Sequence, residues 1–262
     1  MIWVTLPVYN EEHTAGVLLW RIRQLFGEVN RDFRILALDD ASDDGTVEVL
    51  EPYARVMPLT LLRNQQREGR GRSLERLVRE AVKRSRYPKR DGLLMMQADF
   101  TDGPEAIPEM LRHFQGGADL VVARPADVDQ APRSVRAARA GAGFLVKGLP
   151  IPEGVEDPLT GYRLYRLIVL KRALDSLETG APLIRHDGWA ANVELLSAVA
   201  PFVRRCEQVD VSVDYTRRYR ASRFRPLPEL WSVFRASRAA RSEFEDEQSA
   251  DEGPNSRTVG GG

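Results

Sequence analysis

Short apolar runs alternate with amphipathic stretches through the first half of this chain, and that alternation restricts the fold more than any other feature. Ile2–Val8, Phe33–Leu38, Leu59–Arg63, Gly92–Gln97 and Asp119–Ala123 read as strands, separated by helix-like Thr14–Phe26, Thr46–Tyr53, Gly71–Arg86 and Pro104–Phe114. Repeated strand–helix–strand units predict an α/β, Rossmann-like, mainly parallel central sheet flanked by helices. Brief apolar strands such as Leu93-Leu94-Met95-Met96 suit a sheet covered on both faces.

In such a sheet the ligand sits beyond the carboxyl ends of the strands, so the residues that follow each apolar run carry the functional information. The first run ends in Pro7-Val8-Tyr9-Asn10-Glu11-Glu12, the second in Asp39-Asp40-Ala41-Ser42-Asp43-Asp44-Gly45-Thr46, the fourth in Gln97-Ala98-Asp99-Phe100-Thr101-Asp102. Acidic and small polar groups therefore converge on one edge. Beyond Arg124 the alternation weakens: Pro125–Arg139 is a basic, proline-punctuated loop leading into a helix over Ser134–Lys147, followed by helices at Ile168–Leu177 and Ala190–Ala200 and a strand at Gln208–Val213. Residues 243–262 are acidic, then Ser/Gly-rich and aperiodic, the composition of a disordered tail.

Charge and cysteine usage narrow the classes. Thirty-eight Lys and Arg balance thirty-eight Asp and Glu, which gives no reason to expect a nucleic-acid partner. Locally the balance breaks: arginines dominate from Arg204 to Arg241, a segment suited to phosphate. Cys206 is the sole cysteine, so neither an internal disulfide nor a cysteine zinc site is available, and a reducing cytoplasm fits. The chain enters a strand at once, without the basic and apolar pattern of a signal peptide. It also lacks the run of about 18 to 20 apolar residues needed for a spanning helix, so the expected membrane contact is peripheral, at the inner face.

Four stretches, in order, resemble family 2 of the glycosyltransferases, with their GT-A fold, and within it the polyprenyl-phosphate (dolichol-phosphate type) mannosyl- and glucosyltransferases. They are Leu6–Glu12, Leu38–Thr46, Gln97-Ala98-Asp99 with Pro104–Pro108, and Asp157-Pro158-Leu159-Thr160-Gly161-Tyr162-Arg163-Leu164-Tyr165-Arg166. Weaker echoes stand at Asn64 with Gly69-Arg70-Gly71, at Gly188-Trp189 with Val193-Glu194, and at Arg217–Phe224. The resemblance implies an inverting transfer of a hexose from a nucleoside-diphosphate sugar to a polyprenyl phosphate. Residues 1–242 would form one GT-A unit, 1–124 holding the nucleotide sugar and 125–242 the acceptor and lid. Mannose on guanosine diphosphate is the first expectation and glucose on uridine diphosphate the second.

The resemblance places Pro7, Tyr9, Glu11 and Asp39 on the nucleoside. The chemistry agrees, because a carboxylate can accept from a base imino N–H and proline fixes the loop's φ. A bare turn and helix cap explains Asp39–Thr46 as well, and is the reading adopted for Asp43, Asp44 and Gly45. Gln97-Ala98-Asp99 stands where relatives carry Asp-x-Asp, so Gln97 and Ala98 fall on the nucleotide sugar, and Asp99 with Thr101 on a divalent cation, Mg²⁺ or Mn²⁺. Gln97 supplies a carbonyl but no charge, which weakens the expected metal site. Asp99 and the arginines Arg124, Arg217 and Arg223 are the catalytic candidates for offsetting charge on the leaving diphosphate. Asp157, Arg163 and Glu194 are expected on the acceptor side, Arg163 carried towards phosphate by a tight turn at Gly161. Amphipathic stretches with Phe144, Leu145, Trp231 and Phe234 suit either a headgroup layer or the core. Two rivals stay open: the same fold acting on a hydroxyl acceptor, and a weakly active relative that binds nucleotide sugar without transferring it.

Overall fold

The computed structural model describes residues 1–126, 133–211 and 228–238. In chain order the elements are β1 (Ile2–Val8), α1 (Ala15–Glu28), β2 (Phe33–Asp39), α2 (Thr46–Val56), β3 (Leu59–Arg63), α3 (Arg70–Arg84) and β4 (Gly92–Met95). A 3-10 turn (Pro104–Ala106) then runs into α4 (Ile107–Gln115), followed by β5 (Leu120–Pro125), α5 (Arg133–Leu145), β6 (Arg163–Arg166), α6 (Leu167–Asp175), α7 (Gly188–Val199) and β7 (Cys206–Val211). A helix over residues 228–238, here α8, closes the described chain. The seven strands form one sheet in the order β3-β2-β1-β4-β6-β5-β7. All neighbouring pairs are parallel except those made by β6, which runs antiparallel between β4 and β5.

Period-two side-chain alternation sorts β1 between two cores. Ile2, Val4, Leu6 and Val8 face α1 and α4, packing with Leu18, Ile22, Phe26, Met110 and Phe114. Trp3 faces the other way, joining Leu36 and Leu38 of β2 against Leu74, Leu77 and Val78 of α3 and Leu195 of α7. Helix α3 shows how little apolar surface is needed: its buried line Leu74, Leu77, Val78, Ala81 recurs at helical spacing within an otherwise charged sequence. A third, smaller core joins Ala142 and Val146, Ala190 and Val193 of α7, and Val233 and Ala236 of α8. It seats α5 and α8 beside the carboxyl edge of the sheet.

The expected strands β1 to β5 and their helices are present, with ends shifted by a few residues. The fourth strand stops at Met95, so Gln97 already lies in the loop. The tight turn expected to carry Arg163 towards phosphate is replaced by β6, in which Met95 pairs with Arg163 and Val122 pairs with Arg163 on the other side. Arg163 is fully buried. Its Nη1 donates to the Asn192 carbonyl at 2.7 Å and to Tyr165 Oη at 3.1 Å, and its Nη2 to the Pro158 carbonyl at 2.7 Å. Those carbonyl contacts give the guanidinium an acceptor-rich seat inside the core, and it does not extend from a turn. The disordered tail expected at 243–262 lies outside the described residues.

Truncation should report this role directly. Arg163→Ala removes a buried stem and strands two buried carbonyls, a loss of about 3 kcal/mol or more. Truncating the exposed Trp20 should change stability by under about 1 kcal/mol. Urea unfolding followed by far-UV circular dichroism separates the two, and equal midpoints would show that Arg163 is not structural.

Candidate active site

Parallel strands bring three loops to one edge, and the antiparallel β6 brings a fourth by entering from that edge. The loop after β1 is stitched to the loop after β2. The Asn10 N–H donates to Ser42 Oγ at 2.9 Å, the Glu11 N–H to Thr46 Oγ1 at 2.7 Å, and the Gly45 N–H to Glu12 Oε2 at 3.0 Å. Glu11 Oε2 in turn accepts from Thr14 Oγ1 at 2.7 Å, ahead of α1. Pro7 is the penultimate residue of β1, paired with Leu38. Tyr9 lies under the Arg67 guanidinium, 4.2 Å from ring centre to Cζ, which presents a flat cationic pair at the rim.

Asp39 ends β2 and Asp40 follows it, in different environments. Asp39 is fully buried, accepts the Ser42 N–H and lies 3.8 Å from Arg63 Nε. Asp40 accepts from Asn64 Nδ2 at 2.7 Å and from the Glu68 and Gly69 N–H groups at 2.9 Å each. That carboxylate fixes the entry to α3. There Gly69 takes φ +95°, and a Cβ on Gly71 would fall 2.1 Å from the His186 carbonyl, so glycine alone lets the helix start meet the 186–188 segment. The Gly71 N–H donates to Asp187 Oδ1 at 2.6 Å.

After β4, the Gln97 N–H donates to Asp102 Oδ2 at 2.8 Å and the Thr101 N–H to Asp99 Oδ1 at 2.9 Å. Ala98 is buried in the core beneath them. Tyr162 Oη reaches the Gly103 carbonyl at 3.1 Å, locking the loop before β6 to this one. Burial raises the Tyr162 phenol well above its ordinary value, with Asp102 and Glu105 adding to the shift, so it acts as a donor at neutral pH. Three non-glycine residues with positive φ, Asn10, Ala41 and Phe100, sit in the loops after β1, β2 and β4. Backbone strain of this kind, on the order of 1 kcal/mol each, collects where loops are shaped for a ligand.

The donor set of the Gln97–Asp102 loop suits a divalent cation held jointly with a substrate. Asp99 supplies one carboxylate, Gln97 a neutral amide, and Thr101 Oγ1 is buried without a hydrogen-bond partner. Among the described residues no group of three or more His, Cys, Asp or Glu could hold a metal. A divalent cation held here would need oxygens from a bound ligand to complete its shell.

The remaining candidates lie elsewhere. Arg124, at the end of β5, is bound by Asp210 through Nε at 2.7 Å and by Glu156 through Nη1. Hydrogen bonds to Asp210 and Glu156 hold its guanidinium above its ordinary value. Asp157 binds Arg139 and accepts the Leu159 N–H at 3.0 Å. Glu194 accepts the Arg185 and His186 N–H groups and lies 2.6 Å from His186 Nδ1, holding the loop before α7. Arg217 and Arg223 lie outside the described residues. Sequence reasoning missed the structural weight of Asp40 and the part played by Arg70, Asp187 and Glu229. Glu229 opens α8 and accepts the Trp189 N–H at 2.9 Å, and burial pushes its carboxyl up. The cation between two glycines after a strand was the available signal for Arg70.

A doubly covered α/β sheet whose strand order turns back at an antiparallel β6, with acidic loops at its carboxyl edge, defines a nucleotide-type transferase fold of the GT-A kind. The chain belongs to glycosyl transferase family 2, whose model matches residues 3–174, more than half of it. Among curated relatives, the dolichol-phosphate mannosyltransferase of Pyrococcus furiosus is 25% identical over 173 residues, 64% of this chain and 47% of that protein. The undecaprenyl-phosphate 4-deoxy-4-formamido-L-arabinose transferase of Pectobacterium atrosepticum is 28% identical over 123 residues, 45% of this chain and 35% of that one. The chain thus spans half or less of the length of these relatives. Mannosyl-3-phosphoglycerate synthase from Rubrobacter xylanophilus superposes with a TM-score of 0.64 at 21% identity, covering 93% of this chain and 75% of that one. Glucosyl-3-phosphoglycerate synthase from Mycobacterium tuberculosis, crystallised with Mg²⁺ and uridine diphosphate, gives 0.57 at 22% identity over 93% and 78%. At these identities the superpositions show the fold. No helix among the described residues is long and apolar enough to cross a membrane.

Asp40 offers the sharpest local test. Asp40→Ala strands two backbone N–H groups at the start of α3, and should cost about 2 to 4 kcal/mol, read as a lowered denaturation midpoint. An unchanged midpoint would mean that α3 starts correctly without it.

Proposed function

We propose that the chain transfers a hexose, mannose first, from a nucleoside-diphosphate sugar to a polyprenyl phosphate, with inversion, at a membrane surface on its cytoplasmic side. The observation that carries this reading is the convergence of the buried Asp39, the Tyr9–Glu11 loop and the Gln97–Asp102 loop on one sheet edge. Residues 1–124 then hold the donor and 125–242 the acceptor. Pro7, Tyr9, Glu11 and Asp39 take the nucleoside; Gln97 and Ala98 line the ribose and sugar. Asp99 with Thr101 holds a Mg²⁺ or Mn²⁺ ion, which supplies positive charge against the diphosphate when bound. Gln97 leaves that hold weaker than two carboxylates would. The family resemblance assigns Arg217 and Arg223, which lie outside the described residues, to the leaving diphosphate. Arg124, already bound by two carboxylates, reaches it only by releasing Glu156; otherwise it orients the segment that carries Asp157.

The acceptor assignment is supported by the curated relatives, which are named for dolichol phosphate and undecaprenyl phosphate. A surface feature agrees. Phe144 on α5 is 70% exposed and Trp231 on α8 60% exposed, with Lys147 Nζ 5.7 Å from the Phe144 ring centre and Trp231 against Phe234. Exposed aromatics beside cations, on helices flanking the site, suit a headgroup layer. A second reading, uridine-diphosphate glucose and a small hydroxyl acceptor, is favoured by the superposition on phosphoglycerate synthases along most of the chain.

Calorimetry with guanosine-diphosphate mannose and uridine-diphosphate glucose, with and without Mn²⁺, tests the donor half. One donor should bind with metal enhancement, and Asp99→Ala should weaken it at least about tenfold, or 1.4 kcal/mol, and remove the metal effect. Absence of binding to every donor would sink the transferase reading. For the membrane half, sedimentation with anionic vesicles at low salt should fall several-fold in a Phe144→Ser, Trp231→Ser variant with donor binding intact. Equal sedimentation of variant and wild type would remove the membrane from the proposal.

A further inference from the structure

Arg70 is the first residue of α3, where the helix dipole is positive and a cation is unfavourable. Its guanidinium carries five N–H donors, yet its hydrogen bonding among the described residues amounts to one contact from Nη1 to the Gly188 carbonyl at 3.4 Å. Nε is buried with no partner. Four carboxylates, Asp102, Asp99, Glu229 and Asp187, act on it electrostatically, but none forms an ion pair with it. Burial pushes the guanidinium below its ordinary value, and those carboxylates oppose the shift. The side chain is also given room. A Cβ on Gly161 would fall 2.7 Å from Arg70 Nη2, so glycine in the Asp157–Tyr162 loop is what admits the guanidinium. Arg70 therefore stands where α3, the loop before β6 and the start of α7 meet, within the field of the Asp99 loop.

A half-buried guanidinium whose Nε is buried without a partner, at a positive helix end, is costly unless an anion completes it. We propose that Arg70 binds a phosphate group of the substrates, as a fixed cation that shares the charge of the phosphate with the ion held at Asp99. This rests on the transferase reading for the identity of the ligand, since both the donor diphosphate and a lipid phosphate offer the same oxygens. It also accounts for Gln97. With a guanidinium supplying positive charge beside the acidic loop, a metal held by fewer carboxylates has less of the phosphate charge to offset.

The test uses the full-length chain, with Arg70→Ala, Arg70→Lys and Gly161→Ala. Wild-type binding of inorganic pyrophosphate, guanosine and uridine diphosphates, the corresponding nucleosides, and a water-soluble short-chain prenyl phosphate is measured with Mg²⁺ present. Arg70→Ala should weaken the diphosphates or the prenyl phosphate tenfold or more while nucleoside binding stays within twofold. The ligand that responds names the phosphate in contact. Arg70→Lys should recover part of the loss, and Gly161→Ala, which displaces the guanidinium but keeps its charge, should reproduce most of it. If Arg70→Ala does not fold, the other two variants decide. Phosphate affinities unchanged in the folded variants, or equal losses for nucleosides and phosphates, would overturn the proposal. Wild type that binds pyrophosphate through Arg70 but no nucleotide would remove the transferase reading and leave Arg70 as an anion site.

Discussion

The Asp40 carboxylate is the contact on which the site's geometry depends. It follows β2 directly and accepts from Asn64 Nδ2 and from two consecutive backbone N–H groups before α3. Buried N–H groups at a helix entrance need an acceptor, and here one side chain supplies it for both. Because α3 is held there, Gly71 can meet the His186 carbonyl and Asp187, and the loop before α7 is drawn into the edge. Glu194 fixes the other side of that loop through two N–H groups and His186. A local turn chemistry after β2 thereby orders a segment more than a hundred residues away.

Electrostatics at the edge follows from the same arrangement. Asp99, Asp102, Asp187 and Glu229 are brought within range of one guanidinium, and burial raises the Glu229 carboxyl. A cluster of carboxylates repels a diphosphate unless cations intervene. Arg70 is one such cation on the protein itself, and on the proposed reading a divalent ion at Asp99 would be another. On that reading Gln97 leaves the metal fewer carboxylates, while the guanidinium supplies part of the positive charge that a phosphate needs.

The first half of the fold was legible because its strands are short, mostly apolar and separated by helices of clear periodicity; Leu59–Arg63 matches its expected bounds. The edge loops were legible for the same reason, since strand ends could be located. What stayed hidden was β6. Its four residues, Arg-Leu-Tyr-Arg, look polar, yet Arg163 spends its charge on core carbonyls and Arg166 on Asp119 and the carbonyls of Phe114 and Ala118. A pattern that scores arginine as exposed cannot find a strand in which arginine is buried by backbone acceptors. Arg70, Asp187 and Glu229 stayed hidden because their meeting is set by tertiary packing of α3, α7 and α8, which no spacing encodes.

The distribution of acceptors at the edge bears on which nucleophile the site can serve. A hydroxyl needs a base within hydrogen-bond reach; a phosphate arrives already ionised. Asp39, Asp40, Asp99, Asp102, Asp157, Asp187 and Glu194 each accept at least one backbone N–H, so they are tied to holding loops in place. Burial also raises the proton affinity of the Glu229 carboxyl, and it too is held, by the Trp189 N–H. A hydroxyl acceptor would call on the remaining lone pairs of one of these loop-holding carboxylates, or on Glu229 against its bond to Trp189. An anionic phosphate acceptor needs no base, and the Arg70 guanidinium, whose Nε is buried without a partner, offers it a cation.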